Sequence, residues 1–375
     1  MAAPAPAPPR GALREIALLF LRLGATAFGG PAAHIALLED EVVRRRGWLT
    51  RERFLDLLGA TNLIPGPNST EMAIHLGYLR GGPLGLVLAG VCFIVPASLL
   101  SAALAWAYLR FGGVPQVEGV LYGIKPAIIV IVVQAVVSLS RAALRTRWLV
   151  VVAVASAAAA LFGLNELLVL GVAGAAACAP RLGRGGRGVL LAVPAAAAAS
   201  APVAVGLWPL FLAFAKIGSV LFGSGYVLLA FLRADLVAQR HWLTEAQLLD
   251  AVAVGQFTPG PVSSTATFIG YLLRGPAGAA VATLGMFAPA FVFVALSGPL
   301  VPRIRRSPAA GAFLDGVNAA SLALMAVVAA QLGRAAIVDR VTVAIAAASA
   351  VAVLRLRVSS AWLVLGGGVI GALLH

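Results

Sequence analysis

The chain has 375 residues, of which 61% are hydrophobic and 11% are charged, and a soluble fold of this length has too little interior to bury so much apolar surface. Its formal net charge of +14 comes mainly from arginines in short clusters between apolar runs, which the excess of basic residues in cytoplasmic loops explains better than a nucleic-acid partner. The two cysteines, Cys92 and Cys178, give neither a disulfide framework nor a metal-ligand spacing. The composition predicts an all-α, polytopic protein of the inner (plasma) membrane, with the lipid bilayer as its main solvent.

In chain order, residues 1–12 form an Ala/Pro-rich tail, which we expect to be disordered, and no small-residue cleavage site precedes the first apolar helix. Apolar stretches long enough to cross a hydrocarbon core at about 20 residues per helix follow. They lie near residues 13–38, 84–108, 119–139, 147–163, 165–180, 188–232, 277–301, 311–332 and 341–374. With allowance for broken and paired segments, they predict roughly ten to twelve membrane segments.

The sequence repeats itself. FLRLGATAFGG from Phe20 falls on FAKIGSVLFGS from Phe214 without a gap, and RGWLTRERFLD falls on RHWLTEAQLLD in the same register. A one-residue slip then carries GYLRGGPLG from Gly77 onto GYLLRGPAG from Gly270. The match predicts a first repeat at residues 13–180, a linker and connecting hydrophobic segment at 181–207, and a second repeat at 208–375.

Arginine placement indicates how the two repeats are oriented. The stretch 39–53 carries five arginines, whereas its counterpart 233–247 carries only Arg233 and Arg240. The bias is reversed later in the repeats, because arginines 303, 305 and 306 follow Pro289 while only Arg110 follows Pro96. The swap predicts inverted repeats. Basic residues at both ends of the first apolar segment leave open that this segment dips in and returns at Gly29-Gly30-Pro31.

Each repeat contains Pro-Gly-Pro in apolar sequence, at residues 65–67 and 259–261, and this tripeptide cannot continue a helix. A helix that restarts beyond the break directs unpaired amides back at the gap, which favours an anion. Polar residues after both breaks add donors where the new helices begin. The candidate substrate-binding residues here are Pro65, Gly66, Asn68, Ser69 and Thr70 in the first copy and Gly260, Ser263 and Ser264 in the second. Alternatively, Pro-Gly-Pro only turns a helical hairpin at the surface. The matched FGGP (28–31) and FGSG (222–225) predict a second pair of breaks, with a packing role alone as the alternative.

Ionisable groups in apolar sequence are expensive and usually functional. Arg22 and Lys216 occupy matched positions and could draw a divalent anion to the midplane, and Lys125 is a third candidate. The alternative for all three is snorkelling to a headgroup. Glu71 and His75 are four residues apart on one helical face, and the second copy has neither. This asymmetry suits proton coupling, with His34 as a further titratable group, although Glu71 and His75 could equally pair only to satisfy each other.

The motifs FGGPAAH at 28–34, the Trp-Leu within Arg46–Leu49, Pro-Gly-Pro at 65–67 and Pro96 together resemble the chromate ion transporter family in its two-domain, long-chain form. The resemblance covers nearly the whole chain and implies efflux of chromate from the cytoplasm, driven by the proton gradient or the membrane potential, with sulfate as the isosteric competitor. The family pattern carries Gln before the first Pro-Gly-Pro. Gln256 keeps this substrate-site residue in the second copy, whereas Asn62 stands there in the first, and Glu71 is a further departure.

Two other function classes stay open beside a secondary oxyanion transporter. A membrane-embedded enzyme acting on lipid needs a convergent nucleophile and base, but the few His, Asp and Glu residues are scattered. A transporter or a passive channel for sulfate or another small anion would be built from the same two repeats. No G-x-x-x-x-G-K loop is found, so ATP-driven pumping is disfavoured. No cofactor is expected, the partners are an oxyanion, protons and lipid, and a homodimer is left open.

Overall fold

The computed structural model describes residues 11–28, 30–182, 205–222, 227–305, 307–356 and 358–374. Within these ranges every regular element is a helix, as the composition predicts. The α-helices are α1 (Ala12–Thr26), α2 (Gly30–Glu39), α3 (Arg51–Thr61), α4 (Asn68–Phe111), α5 (Pro115–Ala143), α6 (Arg147–Leu161), α7 (Glu166–Leu182), α8 (Leu207–Val220), α9 (Leu228–Leu232), α10 (Glu245–Phe257), α11 (Thr265–Arg305), α12 (Pro308–Ala336), α13 (Arg340–Leu354) and α14 (Ser360–Leu374). Two π-helical turns, Asp40–Arg45 and Arg233–Gln239, follow α2 and α9, and a 3₁₀ turn, Val262–Ser264, precedes α11.

The chain forms two compact units, and each unit takes sections from both halves of the sequence. Unit 1 comprises Met1–Phe111, Val205–Gly225 and Val254–Leu300, and unit 2 comprises Gly112–Ala204, Tyr226–Ala253 and Val301–His375. Several segments lie outside the described residues, namely residues 1–10 of the tail predicted at 1–12, most of the predicted linker, Gly29, and residues 223–225 of the FGSG motif. Helix α1 begins at Ala12, inside the predicted tail. Both Pro-Gly-Pro segments belong to unit 1.

Unit 1 has its core where α1 packs against α4. The buried positions Ile16, Leu19, Phe20 and Leu23 recur at helical spacing, so they form one apolar face of α1. Gly24 continues this face, and a Cβ there would overlap the carbonyl of Phe93 on α4. The small residue therefore lets two helix backbones approach closely, as is common in membrane proteins.

Helices α4 and α11 are each a helical hairpin rather than one straight helix. Gly81 and Gly82 of α4 have non-helical backbone angles, and a Cβ on Gly77 would overlap the carbonyl of Gly85. Residues eight apart in a straight α-helix are about 12 Å apart, so this contact requires the chain to turn back. The matched glycines of α11, Gly270 and Gly278, contact each other in the same way across a break at Arg274–Gly275.

Unit 2 is held together by helices that meet at small residues. Helix α5 packs against α14, where a Cβ on Gly123 would overlap the Gly367 carbonyl. At the start of α13, the Asp339 carboxylate accepts the Thr342 amide at 2.8 Å and the hydroxyl of Tyr122. The hydrogen bond from Tyr122, followed by that from Thr342, holds the pKa of Asp339 below its usual value.

Four helices of the described residues are long and apolar enough to cross a membrane, namely Asn68–Phe111, Val117–Ala143, Val262–Ser297 and Pro308–Ala336. Shorter apolar helices are Arg147–Leu161, Glu166–Ala179, Leu207–Val220, Arg340–Leu354 and Ser360–Leu374. Because α4 and α11 turn back on themselves, the number of helices does not give the number of membrane crossings. The total of ten to twelve membrane segments stays a prediction.

Candidate functional site

Both Pro-Gly-Pro segments break the helical path, as the sequence predicts. Helix α3 ends at Thr61 and α4 begins at Asn68, while α10 ends at Phe257 and the next turn begins at Val262. The central glycines have φ of +149° at Gly66 and +85° at Gly260, a region that side-chain-bearing residues rarely adopt. The prolines thus end the helices, and the glycines make the reversal of the backbone cheap.

The central glycine of each break is hydrogen-bonded to the other half of the sequence. The Gly66 amide donates to the Leu221 carbonyl at 2.7 Å, and the Gly260 amide donates to the Ala27 carbonyl at 2.8 Å. Gly66 and Gly260 are matched positions, and Ala27 and Leu221, which follow the ends of α1 and α8, are matched as well. These two amides therefore bond the breaks to the chain just beyond the ends of α1 and α8. The sequence predicts amides that are free to bind an anion at the breaks, but these two amides are already paired.

The helices that restart after the breaks are partly capped by their own prolines. The Pro67 carbonyl accepts the amides of Thr70 at 2.8 Å and Glu71 at 3.0 Å, and the Pro261 carbonyl accepts the Ser264 amide at 2.9 Å. The Asn68 side chain donates to the Asn62 side-chain oxygen at 2.8 Å. The amides of Thr70, Glu71 and Ser264 are therefore already bonded within their own helical turns.

Buried hydroxyl groups gather at the second break. The Ser101 hydroxyl, on the returning half of α4, donates to the Ser264 hydroxyl at 3.2 Å, and the Thr258 hydroxyl lies 3.5 Å from the same atom. Ser263 and Gln256 are also buried beside this break. Sequence reasoning missed Ser101, because it stands in an apolar run and its partner is 163 residues away. Hydroxyls in this arrangement can donate to a multi-oxygen anion.

The first break differs from the second because it contains a buried carboxyl group, that of Glu71. The Glu71 side chain is fully buried, and neither of its carboxyl oxygens has a hydrogen-bond partner among the described residues. The hydroxyl of Thr70, also fully buried, is likewise unpartnered there. A Cβ on Gly66 would overlap Oε1 of Glu71, so the carboxyl group points back into the break.

The two candidate histidines contact other groups. His75 lies one turn beyond Glu71, but its Nε2 is 3.5 Å from the Ser297 hydroxyl on α11. The Nε2 atom of His34 lies 3.1 Å from the Ala27 carbonyl, the same oxygen that accepts the Gly260 amide. His34 is thus tied to the second break, and a coupling role for Glu71, His75 or His34 stays a prediction.

Two of the candidate cations are ion-paired. Arg22 pairs with the buried carboxylate of Glu41, which also pairs with Arg45 at 3.3 Å and Arg46 at 3.4 Å. In unit 2, Lys125 pairs with Asp250 at 3.2 Å. Lys216 lies half-buried in α8. An anion that used Arg22 or Lys125 would have to compete with a carboxylate already in place, so their substrate role stays a prediction.

The sequence analysis did not single out the carboxylates Glu41 and Asp235, although they occupy matched positions in the two repeats. The register that places Trp48 on Trp242 also places Glu41 on Asp235, and both side chains are buried within π-helical turns. Asp235 pairs with Arg240 at 3.0 Å. The signal in the sequence is a matched pair of acidic residues within apolar segments. In the structure both residues lie in π-helical turns, which often occur at functional sites.

Among the described residues, no group of three His, Cys, Asp or Glu side chains could hold a metal ion.

A family model described as Chromate transporter matches residues 14–179 and again residues 208–372. The chain belongs to the chromate transporter family. The resemblance seen in the motifs is thereby confirmed, and the apolar helices make this family member a multi-pass membrane protein.

Three proteins with similar sequences align with most of this chain. The chromate transport protein of Cupriavidus metallidurans is 34% identical over 374 residues, which cover 97% of this chain and 93% of that protein. The probable chromate transport protein of Synechococcus elongatus is 31% identical over 342 residues, 88% of this chain and 87% of that protein. The chromate transport protein of Pseudomonas aeruginosa is 32% identical over 338 residues, 85% of this chain and 80% of that protein. No solved structure matches the chain significantly. The chain is therefore a member of a transport family and not an enzyme.

Proposed function

We propose that this chain is a secondary transporter that exports chromate, a divalent oxyanion, across the inner membrane. The observation that carries the proposal is the similarity to proteins named for chromate transport along 97% of the chain. The site supports it physically, because two helix breaks lie inside membrane-embedded sequence, where irregular backbone is tolerated only if it is buried or lines a wet cavity.

The binding chemistry of the proposal rests on the second break. The hydroxyls of Thr258, Ser264 and Ser101 lie within 3.5 Å of their neighbours in the cluster, and α11 begins at the next residue, Thr265. A helix N-terminus with hydroxyl donors attracts a dianion whose charge is spread over several oxygens. Sulfate offers the same shape and charge, so it is the competitor to measure.

The architecture we propose is a pair of inverted repeats. The family model matches twice, and the paired hydrogen bonds from Gly66 to Leu221 and from Gly260 to Ala27 join matched positions in reciprocal fashion. Reciprocal contacts of this kind are what a two-fold relation between two copies produces. The reversed arginine bias supports inversion rather than simple duplication.

The driving force we propose is the membrane potential or the proton gradient. A potential that is negative inside contributes about 2.3 kcal/mol per charge per 100 mV, so a dianion is driven outward without any partner ion. Exchange of chromate for protons that move inward would add to this force. Glu71 and His75 are the residues we propose for this coupling, because both are buried in α4.

The test is flux of radiolabelled chromate and sulfate in proteoliposomes that hold the purified protein, with a potential and a pH gradient imposed separately. We expect chromate flux that exceeds sulfate flux, and about tenfold lower chromate flux in Ser264→Ala, because the cluster loses a hydrogen bond worth about 1.5 kcal/mol.

Ser156→Ala is the matched control, because this buried hydroxyl donates only to Val152 of its own helix at 2.8 Å. Its flux should equal that of the natural protein. Transport of neither anion, or of sulfate alone, would contradict the proposal. A passive channel would instead follow the anion gradient and the potential but not the pH gradient.

A further inference from the structure

In the first turn of α4, Thr70 and Glu71 carry three buried oxygen atoms that lack a hydrogen-bond partner among the described residues. They are both carboxyl oxygens of Glu71 and the hydroxyl oxygen of Thr70. An ionised carboxylate buried without a counter-charge is very costly. Native proteins pair nearly all buried polar atoms, so three adjacent exceptions need a physical reason.

The Glu71 carboxyl group faces the break rather than a neighbouring helix. The φ of +149° at Gly66 and the overlap that a Cβ there would make with Oε1 of Glu71 place the carboxyl against the Gly66 backbone. The Gly66 amide is already donated to Leu221 and does not satisfy the carboxylate. The carboxyl group of Glu71 therefore lies at the broken segment, where backbone carbonyls are also freed from helical bonding.

The second break lacks this feature. Thr265 stands at the position that matches Glu71, and its hydroxyl donates to the Val262 carbonyl at 2.8 Å. Ser264, which matches Thr70, is bonded to Ser101. One break thus carries a buried carboxylate with unpaired oxygens, and the other carries neutral hydroxyls that are paired. A dianion is repelled by the first arrangement and accepted by the second.

We propose that the first break binds a monovalent cation through Glu71 and Thr70, and that the oxyanion binds at the second break only. This proposal rests on the proposed function for the identity of the anion, but not for the cation site. Oxygen-only donors select a hard cation, and discontinuous helices commonly hold coupling ions in this way. A proton or a sodium ion neutralises the same carboxylate. His75, four residues beyond Glu71 on α4, contacts the Ser297 hydroxyl, and His34 contacts the Ala27 carbonyl.

The cation site is tested by thermal unfolding of the purified full chain in detergent. In one arm, sodium chloride replaces choline chloride at pH 8, and in the other the pH falls from 8 to 6 in choline chloride. The natural protein should gain about 5 °C in one of the arms, which identifies the ion as sodium or a proton. Glu71→Gln should show no gain in either arm, because a neutral amide needs no counter-charge, and Thr70→Val should show a smaller gain.

Glu52→Gln is the control for the chemical change, because Glu52 is exposed in the first turn of α3. It should keep the full response. A natural protein whose unfolding temperature follows neither sodium nor pH overturns the cation site. A response that survives Glu71→Gln overturns it as well.

The placement of the anion is tested with an isosteric pair at Thr265. Chromate binding by equilibrium dialysis should be about a hundredfold weaker in Thr265→Glu than in Thr265→Gln, because only the glutamate adds a negative charge beside the dianion. Equal binding by the two variants overturns the assignment to the second break. A natural protein that shows the cation response but neither binds nor transports chromate instead contradicts the proposed function and leaves the cation site standing.

Discussion

The ion pair between Lys125 and Asp250 offers the sharpest distinction between a substrate cation and a structural one. The Nζ atom lies 3.2 Å from Oδ1, and the side chains are 22% and 4% exposed. At an effective dielectric constant of about 20, this separation corresponds to about 5 kcal/mol of Coulomb attraction. Removal of one partner from a buried pair typically costs about 3–5 kcal/mol, and the exposure of Lys125 favours the lower end. We therefore expect Lys125→Met to lower the free energy of unfolding by about 3 kcal/mol.

The assay is thermal unfolding of the purified protein, combined with chromate binding per folded molecule. A loss of about 3 kcal/mol lowers the unfolding temperature by about 6 °C in a chain of this size. The double variant Lys125→Met with Asp250→Asn should recover at least half of that loss, because it removes both charges of the pair. Asp56→Asn is the matched control, since Asp56 holds the corresponding position in the first half and is exposed.

Two results would refute this reasoning. If Lys125→Met weakened chromate binding while the unfolding temperature stayed constant, Lys125 would be a substrate cation. If the double variant were as unstable as the sum of the single variants, the two side chains would not be coupled, and the ion pair would contribute nothing to stability.

Two further variants test packing and charge elsewhere in the chain. Glu41→Gln should lower the unfolding temperature by about 4 °C because three arginines lose one buried carboxylate, whereas Asp40→Asn on the same turn, whose side chain is 34% exposed, should change it by less than 2 °C. Equal effects would show that burial does not matter at this turn. Gly123→Ala should destabilise the contact of α5 with α14 by about 2 kcal/mol in a denaturation assay. The control Gly366→Ala, where a Cβ meets nothing within 4 Å, should be neutral or stabilising. Destabilisation by both variants would mean that the helix contact is not the cause.

Local chemistry made the helix breaks predictable. Proline lacks the amide hydrogen that a helix needs and glycine tolerates positive φ, so Pro-Gly-Pro ends a helix in any context. The turns inside α4 and α11 carry the same kind of signal in Gly82-Pro83 and Gly275-Pro276, which sequence reasoning used only to align the repeats. Features that depend on a few adjacent residues can therefore be predicted from the sequence.

Partners far apart in the chain were not predictable in this way. Lys125 meets Asp250, and Ser101 meets Ser264, only because of the tertiary fold. From the sequence, a lysine in an apolar segment is singled out by the free-energy cost of burying its charge. This cost is the same whether an anionic substrate or an aspartate neutralises the lysine. This ambiguity explains why the candidate cations could be found from the sequence while their partners could not.

The two breaks show how a repeated backbone can carry different chemistry. The bonds from Gly66 to Leu221 and from Gly260 to Ala27 use only backbone atoms, so they constrain the glycines and prolines but not the side chains that follow. Position 71 can therefore change from a hydroxyl to a carboxylate without loss of the frame, as the contrast with Thr265 indicates. A transporter gains from this freedom, because an anion and a coupling cation need opposite charges at sites of otherwise similar geometry. On this proposal, Glu71 makes the first break a cation site while the backbone frame shared by the two breaks is kept.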